Sequence, residues 1–290
     1  MEKGTSKILY LSDLDGTLLT PEENISDFTA EVLHRLTAEG MLFSYATARS
    51  FATAAKVTKA LGKLEQPVIV YNGEAIVNAA DGSVLDAAYF APEEIGLIRE
   101  TLEAAGISPL VYSRDGSHTD DEHVTYVPGK ISRGMAYYLE TRKGDKRLRT
   151  AAREALYSAN AFYVTAIEDS REVLEAAYEK LSADTRFTVL LQRDLYSDCY
   201  YFEIMPCSAT KANAAARLSA LYGCTGIVCF GDGDNDRSMF RIASACYAVG
   251  NASAVLKAEA TAVIGSNRED GVARKLLELW AQEIELADIS

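Results

Sequence analysis

Histidine is scarce in this chain, with only His34, His118 and His123 among 290 residues. So small a supply argues against a histidine-built metal centre and leaves oxygen ligands, which suit magnesium. Cysteine is nearly as thin. All five cysteines, Cys199, Cys207, Cys224, Cys229 and Cys246, fall in the last third, and no two stand at the spacing of a metal or redox pair. An odd number so arranged predicts reduced, mostly buried thiols. No apolar run approaches the about 18 residues of a membrane span, and the amino terminus lacks a signal-peptide core, so a cytoplasmic protein is expected. Positive charge is also short. Lys and Arg total 29 against 42 Asp and Glu, a net charge of -13 that opposes nucleic acid and anionic membrane. An anionic substrate would need local cations or a metal ion to offset that field.

The composition is otherwise that of a globular chain, 48% hydrophobic and 24% charged, long enough for one large domain or two. It carries neither solenoid repeats nor low-complexity tracts. The most informative stretch is residues 8–19, Ile-Leu-Tyr-Leu-Ser-Asp-Leu-Asp-Gly-Thr-Leu-Leu. Its apolar start predicts a buried strand, and Asp13, Asp15 and Gly16 predict a sharp turn at the strand's end. Alternation along a strand puts Asp13 and Asp15 on the same side, where two carboxylates repel unless a cation or proton separates them. In open parallel sheets ligands bind beyond such strand ends. A plain solvated turn would use the same residues.

The strand, polar turn and helix pattern then repeats. Ser26 can cap a helix that runs to Gly40 and shows Phe28, Val32, Leu33 and Leu36 on one face. A strand over 41–46 leads into Thr47-Ala48-Arg49-Ser50 and a helix over 51–61; a strand over 68–71 ends in Asn72-Gly73, and a hairpin joins 75–77 to 84–86. Beyond residue 86 the pattern loosens. Helices are predicted over 92–105, 131–139, 147–157 and 171–181, and strands near 110–113, 123–127, 161–167, 187–191 and 200–205. Regular units resume with a helix opened by Thr210-Lys211, a strand over 226–230 ending in Gly-Asp-Gly-Asp-Asn-Asp, a strand over 245–249, and a closing helix over 269–286 that buries Val272, Leu276, Leu279 and Trp280. Alternating strands and helices predict an α/β fold with a parallel sheet. The domains expected are a core built from 1–86 and 194–290, interrupted by an inserted mixed α/β domain over 87–193.

Four strand ends now carry polar groups: Asp13 and Asp15, Thr47, Asn72, and the run from Asp232 to Asp236. Lys211 is the obvious cation nearby in sequence order. A calcium loop of the EF-hand kind is excluded for the last of these, because its glycine and glutamate positions hold Arg237 and Ala243.

Asp-Leu-Asp-Gly-Thr-Leu-Leu at 13–19, Ala-Thr-Ala-Arg at 46–49, Lys211 and Gly-Asp-Gly-Asp-Asn-Asp at 231–236 resemble, in order, the four motifs of the haloacid dehalogenase superfamily. Gly250-Asn251-Ala252 and the run over 266–273 look like its Cof-type subfamily, whose large type IIB cap would occupy the insertion, within a Rossmann-like core. The resemblance implies a magnesium-dependent phosphomonoester hydrolase acting on a small phosphorylated metabolite, with a sugar phosphate the expected substrate. Asp13 would be the nucleophile and form an aspartyl phosphate. Asp15 would protonate the leaving alcohol and then take a proton from water. Magnesium would be held by Asp13, the backbone carbonyl of Asp15 and Asp232, with Asp236 ordering its waters. The phosphate-facing set would be Gly16, Thr47, Ala48, Arg49, Asn72, Gly73, Lys211 and Asn235, with Thr47 and Lys211 counted as catalytic. Ala48 departs from the family's usual glycine. Alternatives are a phosphotransferase or mutase, and a metal- and phosphate-binding regulator without turnover.

Within the insertion, residues 130–149 hold seven basic side chains against Glu140 and Asp145. A solvated helix surface is the plainer expectation, with steering of anions the alternative. The run from His118 to His123 reads as a polar loop without a second metal site, and Tyr112, Tyr126, Tyr137 and Tyr138 as packing or as a platform for a sugar.

Overall fold

The computed structural model describes residues 7–62, 64–129, 131–157, 160–193 and 198–289, with side chains as far as residue 283. Lys130 of the basic run therefore lies outside the described residues. The chain forms two compact units, one from the segments before Ala87 and after Ala209, the other from Ala87–Ala209.

In chain order the first unit opens with β1 (Ile8–Ser12), α1 (Asp27–Ala38), β2 (Leu42–Tyr45), α2 (Phe51–Val57), β3 (Val68–Val70), β4 (Ala75–Val77) and β5 (Val84–Ala87). The second unit holds α3 (Pro92–Ala104), β6 (Leu110–Arg114), β7 (Glu122–Tyr126), α4 (Arg133–Thr141), β8 (Leu148–Thr150), β9 (Ala161–Glu168), α5 (Glu172–Ser182), β10 (Phe187–Arg193) and β11 (Tyr200–Pro206). The first unit resumes with α6 (Lys211–Leu221), β12 (Gly226–Gly231), α7 (Arg237–Phe240), β13 (Ala245–Ala248), α8 (Ala254–Glu259), β14 (Ala262–Val263) and α9 (Gly271–Ile289).

Five strands of the first unit form a parallel sheet in the order β14-β13-β12-β1-β2. Such a sheet is covered on both faces, which is why β1 reads as an unbroken apolar run. Leu9, Leu11, Phe43 and Phe230 are at most 1% exposed, each contributing about 2 kcal/mol of hydrophobic burial. The register sets Ser12 between Tyr45 and Phe230, so Asp13, Thr47 and Asp232 all follow strands that end at one edge. A bridge from Ala46 to Ile69 continues the sheet toward β3, which pairs antiparallel with β4.

Ser26 does cap α1, its Oγ accepting from Thr29 N at 3.0 Å. Both Ser26 and Thr29 donate to Asp270, just before α9. Phe28, expected on the buried face, is 36% exposed and lies beneath the Arg274 guanidinium. Leu279 and Trp280 are only half-buried, while Val272 and Leu276 are enclosed. α2 is shorter than predicted. Thr58 leaves helical geometry, its hydroxyl donating to Ala54 O at 2.9 Å, and the chain continues as a tight 3-10 turn over Lys59–Leu61.

In the second unit a six-stranded sheet runs β10-β11-β9-β6-β7-β8. Side chains alternate across it. Val111, Val164, Phe202 and Ile204 pack with Ile98, Leu102, Leu174 and Leu181 of α3 and α5. Leu110, Val124 and Ile167 pack with Met135 and Tyr138 of α4. Because β11 lies between β10 and β9, residues up to Ala209 belong to this unit, and its end is later than the predicted 193. The helix predicted over 147–157 is instead β8 and a short 3-10 turn at Arg153–Ala155. There β8 pairs in parallel with β7, and tertiary pairing overrides local propensity.

The basic run is largely neutralised where it is described. Arg147 pairs with Asp145 at 2.7 Å, Arg149 with Asp115 at 3.2 Å, and Arg142 stacks on Tyr138. Tyr112, Tyr126 and Tyr138 pack in the α4 cluster, and Tyr137 is 56% exposed. No described helix is long and apolar enough to cross a membrane.

Candidate active site

Asp13 is the first residue past β1, and its amide donates to Phe230 O at 3.0 Å. The strand geometry stops there. Residues 14–18 form a wide turn closed by Leu19 N donating to Leu14 O at 2.9 Å, with a non-helical backbone at Asp15 and φ +76° at Gly16, so the expected alternation of Asp13 and Asp15 does not continue. Asp13 is 4% exposed, whereas the Asp15 side chain is 46% exposed and pairs with Arg49. A Cβ on Gly16 would overlap Asp232 Oδ2, which makes glycine a steric requirement as well as a backbone one.

Lys211, the first residue of α6, is buried and donates to Asp13 and, at 2.8 Å, to Asp236 Oδ1. The helix is started by Thr210, whose Oγ1 accepts from Asn213 N at 3.1 Å. Asp236 uses its other oxygen to accept from the amides of Asp232 (3.0 Å) and Gly233 (3.1 Å). It thus fixes both the loop that carries Asp232 and the ammonium that faces Asp13. Asp232 Oδ1 in turn accepts from Thr17 Oγ1 at 2.9 Å.

Carboxylate oxygens of Asp13, Asp232 and Asp236 lie within 4.8 Å of one another. Three carboxylates against one ammonium leave two negative charges uncompensated, and all the donors are hard oxygens. That combination fits one divalent ion such as magnesium. Among the described residues this is the one group of three or more acidic, histidine or cysteine side chains close enough to hold a metal.

Burial pushes the Asp13 carboxyl up to about 7, with Asp236 and Asp232 adding to the shift and Lys211 opposing it. Asp232 is also raised by burial, against the hydrogen bond from Thr17. Burial lowers the Lys211 ammonium, yet Asp13 and Asp236 more than offset this and hold it above the ordinary lysine range. The centre therefore favours added positive charge.

Two further loops meet this edge. Thr47 is fully buried, its Oγ1 accepting from Arg49 N at 3.1 Å and its carbonyl from Asn72 N at 2.8 Å. Tyr71, Asn72 and Gly73 all take positive φ, a conformation held in place by their neighbours. A Cβ on Gly73 would overlap the Thr210 carbonyl, so this turn buttresses the start of the Lys211 helix. Asn72 Oδ1 accepts from Asn235 Nδ2 at 3.5 Å. Ala48 is exposed and is not among the positive-φ residues, so its methyl group introduces no backbone strain.

The structure thus gathers Asp13, Lys211, Asp232 and Asp236, links Thr47 with Arg49 and Asn72, and links Asn72 with Asn235. The site also draws on Thr17, Glu23, Asn251 and Asn267, to which the sequence alone assigns no role. Asn251 Nδ2 donates to Gly16 O at 2.7 Å, while Asn267 donates to Asn251 Oδ1 and to Leu19 O, both at 2.9 Å. Their signal was present in the Gly250-Asn251-Ala252 and 266–273 runs, but only the fold shows that they hold the Asp13–Leu19 turn.

Fold and site together are those of an α/β enzyme whose acidic centre is suited to a divalent cation. The chain belongs to the haloacid dehalogenase-like hydrolases, whose family model matches residues 10–276. It is similar to the 5-amino-6-(5-phospho-D-ribitylamino)uracil phosphatase YitU of Bacillus subtilis, 27% identical over 96% of this chain and 99% of the relative. The HMP-PP phosphatase of Cronobacter sakazakii is also 27% identical, over 85% of each chain. Among solved structures, the subclass IIB sugar phosphatase BT4131 shares the fold with a TM-score of 0.66 at 21% identity, covering 94% of this chain and 99% of its own. The resemblance read from the motifs is thereby borne out, and the protein is an enzyme of the phosphatase branch of this family.

Proposed function

We propose that the protein is a magnesium-dependent phosphomonoester hydrolase that works through a phosphorylated Asp13 on a small soluble metabolite, with sugar phosphates the first class to test. The observation that carries this reading is the buried Lys211 ammonium shared by Asp13 and Asp236, beside the oxygen cluster of Asp13, Asp232 and Asp236. An ionised carboxylate needs no base to attack phosphorus, and the adjacent ammonium offsets charge on the phosphoryl oxygens. Asp13 and Asp232, with the carbonyl of Asp15, would hold the magnesium ion. When bound, the ion would supply charge that offsets repulsion between substrate and nucleophile. Asp236 would hold Lys211 and the Asp232 loop in place.

Asp15 gives a proton to the leaving alcohol and later takes one from water. Thr47, Lys211, Asn72 and Asn235 form the phosphate pocket, with the glycine turns at Gly16 and Gly73 setting its walls. The second unit acts as the type IIB cap that selects the leaving group. The relatives' names, which include a phosphorylated ribitylaminouracil and HMP-PP, support a phosphorylated metabolite with an organic leaving group. The test is a screen of phosphorylated metabolites with magnesium, measuring inorganic phosphate and using Asp13→Asn as the blank. Phosphate release by the wild type and none by the variant is expected. Equal release by both would refute the reading, and transfer to a second organic acceptor would make the protein a phosphotransferase.

A further inference from the structure

The Arg49 guanidinium, expected to face the substrate phosphate, is engaged by two carboxylates of its own unit. Nε donates to Asp15 at 2.9 and 3.1 Å, and Nη2 bridges Asp15 Oδ1 and Glu23 Oε2, the latter at 3.0 Å. Three separate segments supply this triad, and each is fixed independently. Arg49 is anchored through its backbone on both sides, by Thr47 Oγ1 at 3.1 Å and by Tyr71 N at 3.0 Å. Glu23 sits at φ +56° in a turn closed by Glu23 N to Thr20 O (2.9 Å) and Thr20 N to Asn24 O (2.8 Å). A left-handed glutamate is uncommon, and here it delivers the carboxylate that backs the arginine. The arginine side chain is 22% exposed, against 46% for Asp15 and 69% for Glu23, so the guanidinium is the sheltered centre of the group.

We propose, resting on the reading above, that Arg49 and Glu23 are positioning residues for Asp15 in the second half of the reaction, the hydrolysis of phosphorylated Asp13. In that step the oxygen of water attacks phosphorus, the bond from phosphorus to the Asp13 oxygen breaks with its electron pair returning to the carboxylate, and the water's proton passes to Asp15. A carboxylate gripped by a guanidinium fork presents oriented accepting oxygens, which is what proton acceptance from that water requires. Formation of phosphorylated Asp13 from an ester with a good leaving group makes no such demand, because the departing anion needs no proton. The triad therefore acts on one half-reaction more than on the other.

The test uses p-nitrophenyl phosphate with magnesium, comparing the full-length wild type with Arg49→Lys, which keeps the charge but loses the planar fork, and Glu23→Ala. The expected result is a fall in kcat of about tenfold for Arg49→Lys and about threefold for Glu23→Ala. KM should fall in step, so that kcat/KM, which reports formation of phosphorylated Asp13, changes far less. Rapid mixing should then show a burst of nitrophenolate in both variants. Glu23→Gln, which retains the hydrogen-bond acceptor, should recover part of the loss. A fall in kcat at constant KM, or a kcat that does not fall in either variant, would overturn the assignment. Absence of wild-type turnover, or turnover surviving in Asp13→Asn, would instead overturn the underlying reading.

Discussion

Asp13 is kept in tension by its surroundings: burial and two neighbouring acids favour its neutral form, and Lys211 favours its charged one. An acid whose folded pKa lies above its unfolded value takes up more protons when folded. The ion-free protein should therefore lose stability as pH rises from near 4 to about 7, on the Asp13 contribution. Urea unfolding in chelator across that range would show it. Magnesium requires the ionised carboxylate, so its binding should strengthen as pH rises through the same window and release protons. Calorimetric titration in buffers of different ionisation heat measures both quantities, and an affinity independent of pH would contradict the coupling. The acids and the lysine were legible in the sequence as residue types in order. That Asp15 turns away toward Arg49 was not, because the alternation argument holds only while the strand lasts, and the strand ends at Ser12.

At the scale of elements, the site depends on turns that lock helices to strand ends. The turn after β3 packs Gly73 on the Thr210 carbonyl, immediately before the lysine. Gly73→Ala combines a left-handed backbone, φ +103°, with that overlap. It should cost about 2 kcal/mol or more in stability, and it should lower turnover beyond what unfolding explains, since α6 must shift with Lys211 on its first turn. Denaturant midpoints alongside kcat of the folded fraction would check this. Strands and helices flanking the site were readable from periodicity and caps, as Ser26 and Thr210 show. The segment over 147–157 was not, since the partner that makes β8 a strand lies more than twenty residues earlier in β7. The function of Asn251 was hidden for the same reason: its contact, the Gly16 carbonyl, is remote in the chain.

For the whole molecule, two compact units, one burying Leu9, Leu11, Phe43 and Phe230 and the other Val111, Val164, Phe202 and Ile204, predict two unfolding events. On the proposed reading, in which Asp13 and Asp232 would hold magnesium, the ion should raise the transition of the first unit and leave the other in place. Differential scanning calorimetry with and without the ion would resolve them, and equal shifts in both would argue against a site confined to the first unit. The insertion was visible as a change of pattern after residue 86, but its end was not. β11 resembles the strands on either side of the boundary, and only its pairing with β9 and β10 assigns it.

The junctions themselves have a further consequence. Asp86, where the chain leaves the first unit, is ion-paired to Arg217 of α6, and Thr210, where the chain returns, caps the same helix. A single helix thus anchors both ends of the insertion and also bears the lysine. On the proposed reading, foreign inserts spliced between these two anchors should leave the Lys211–Asp13 pair in place, and phosphate release from p-nitrophenyl phosphate by such a spliced protein would check it.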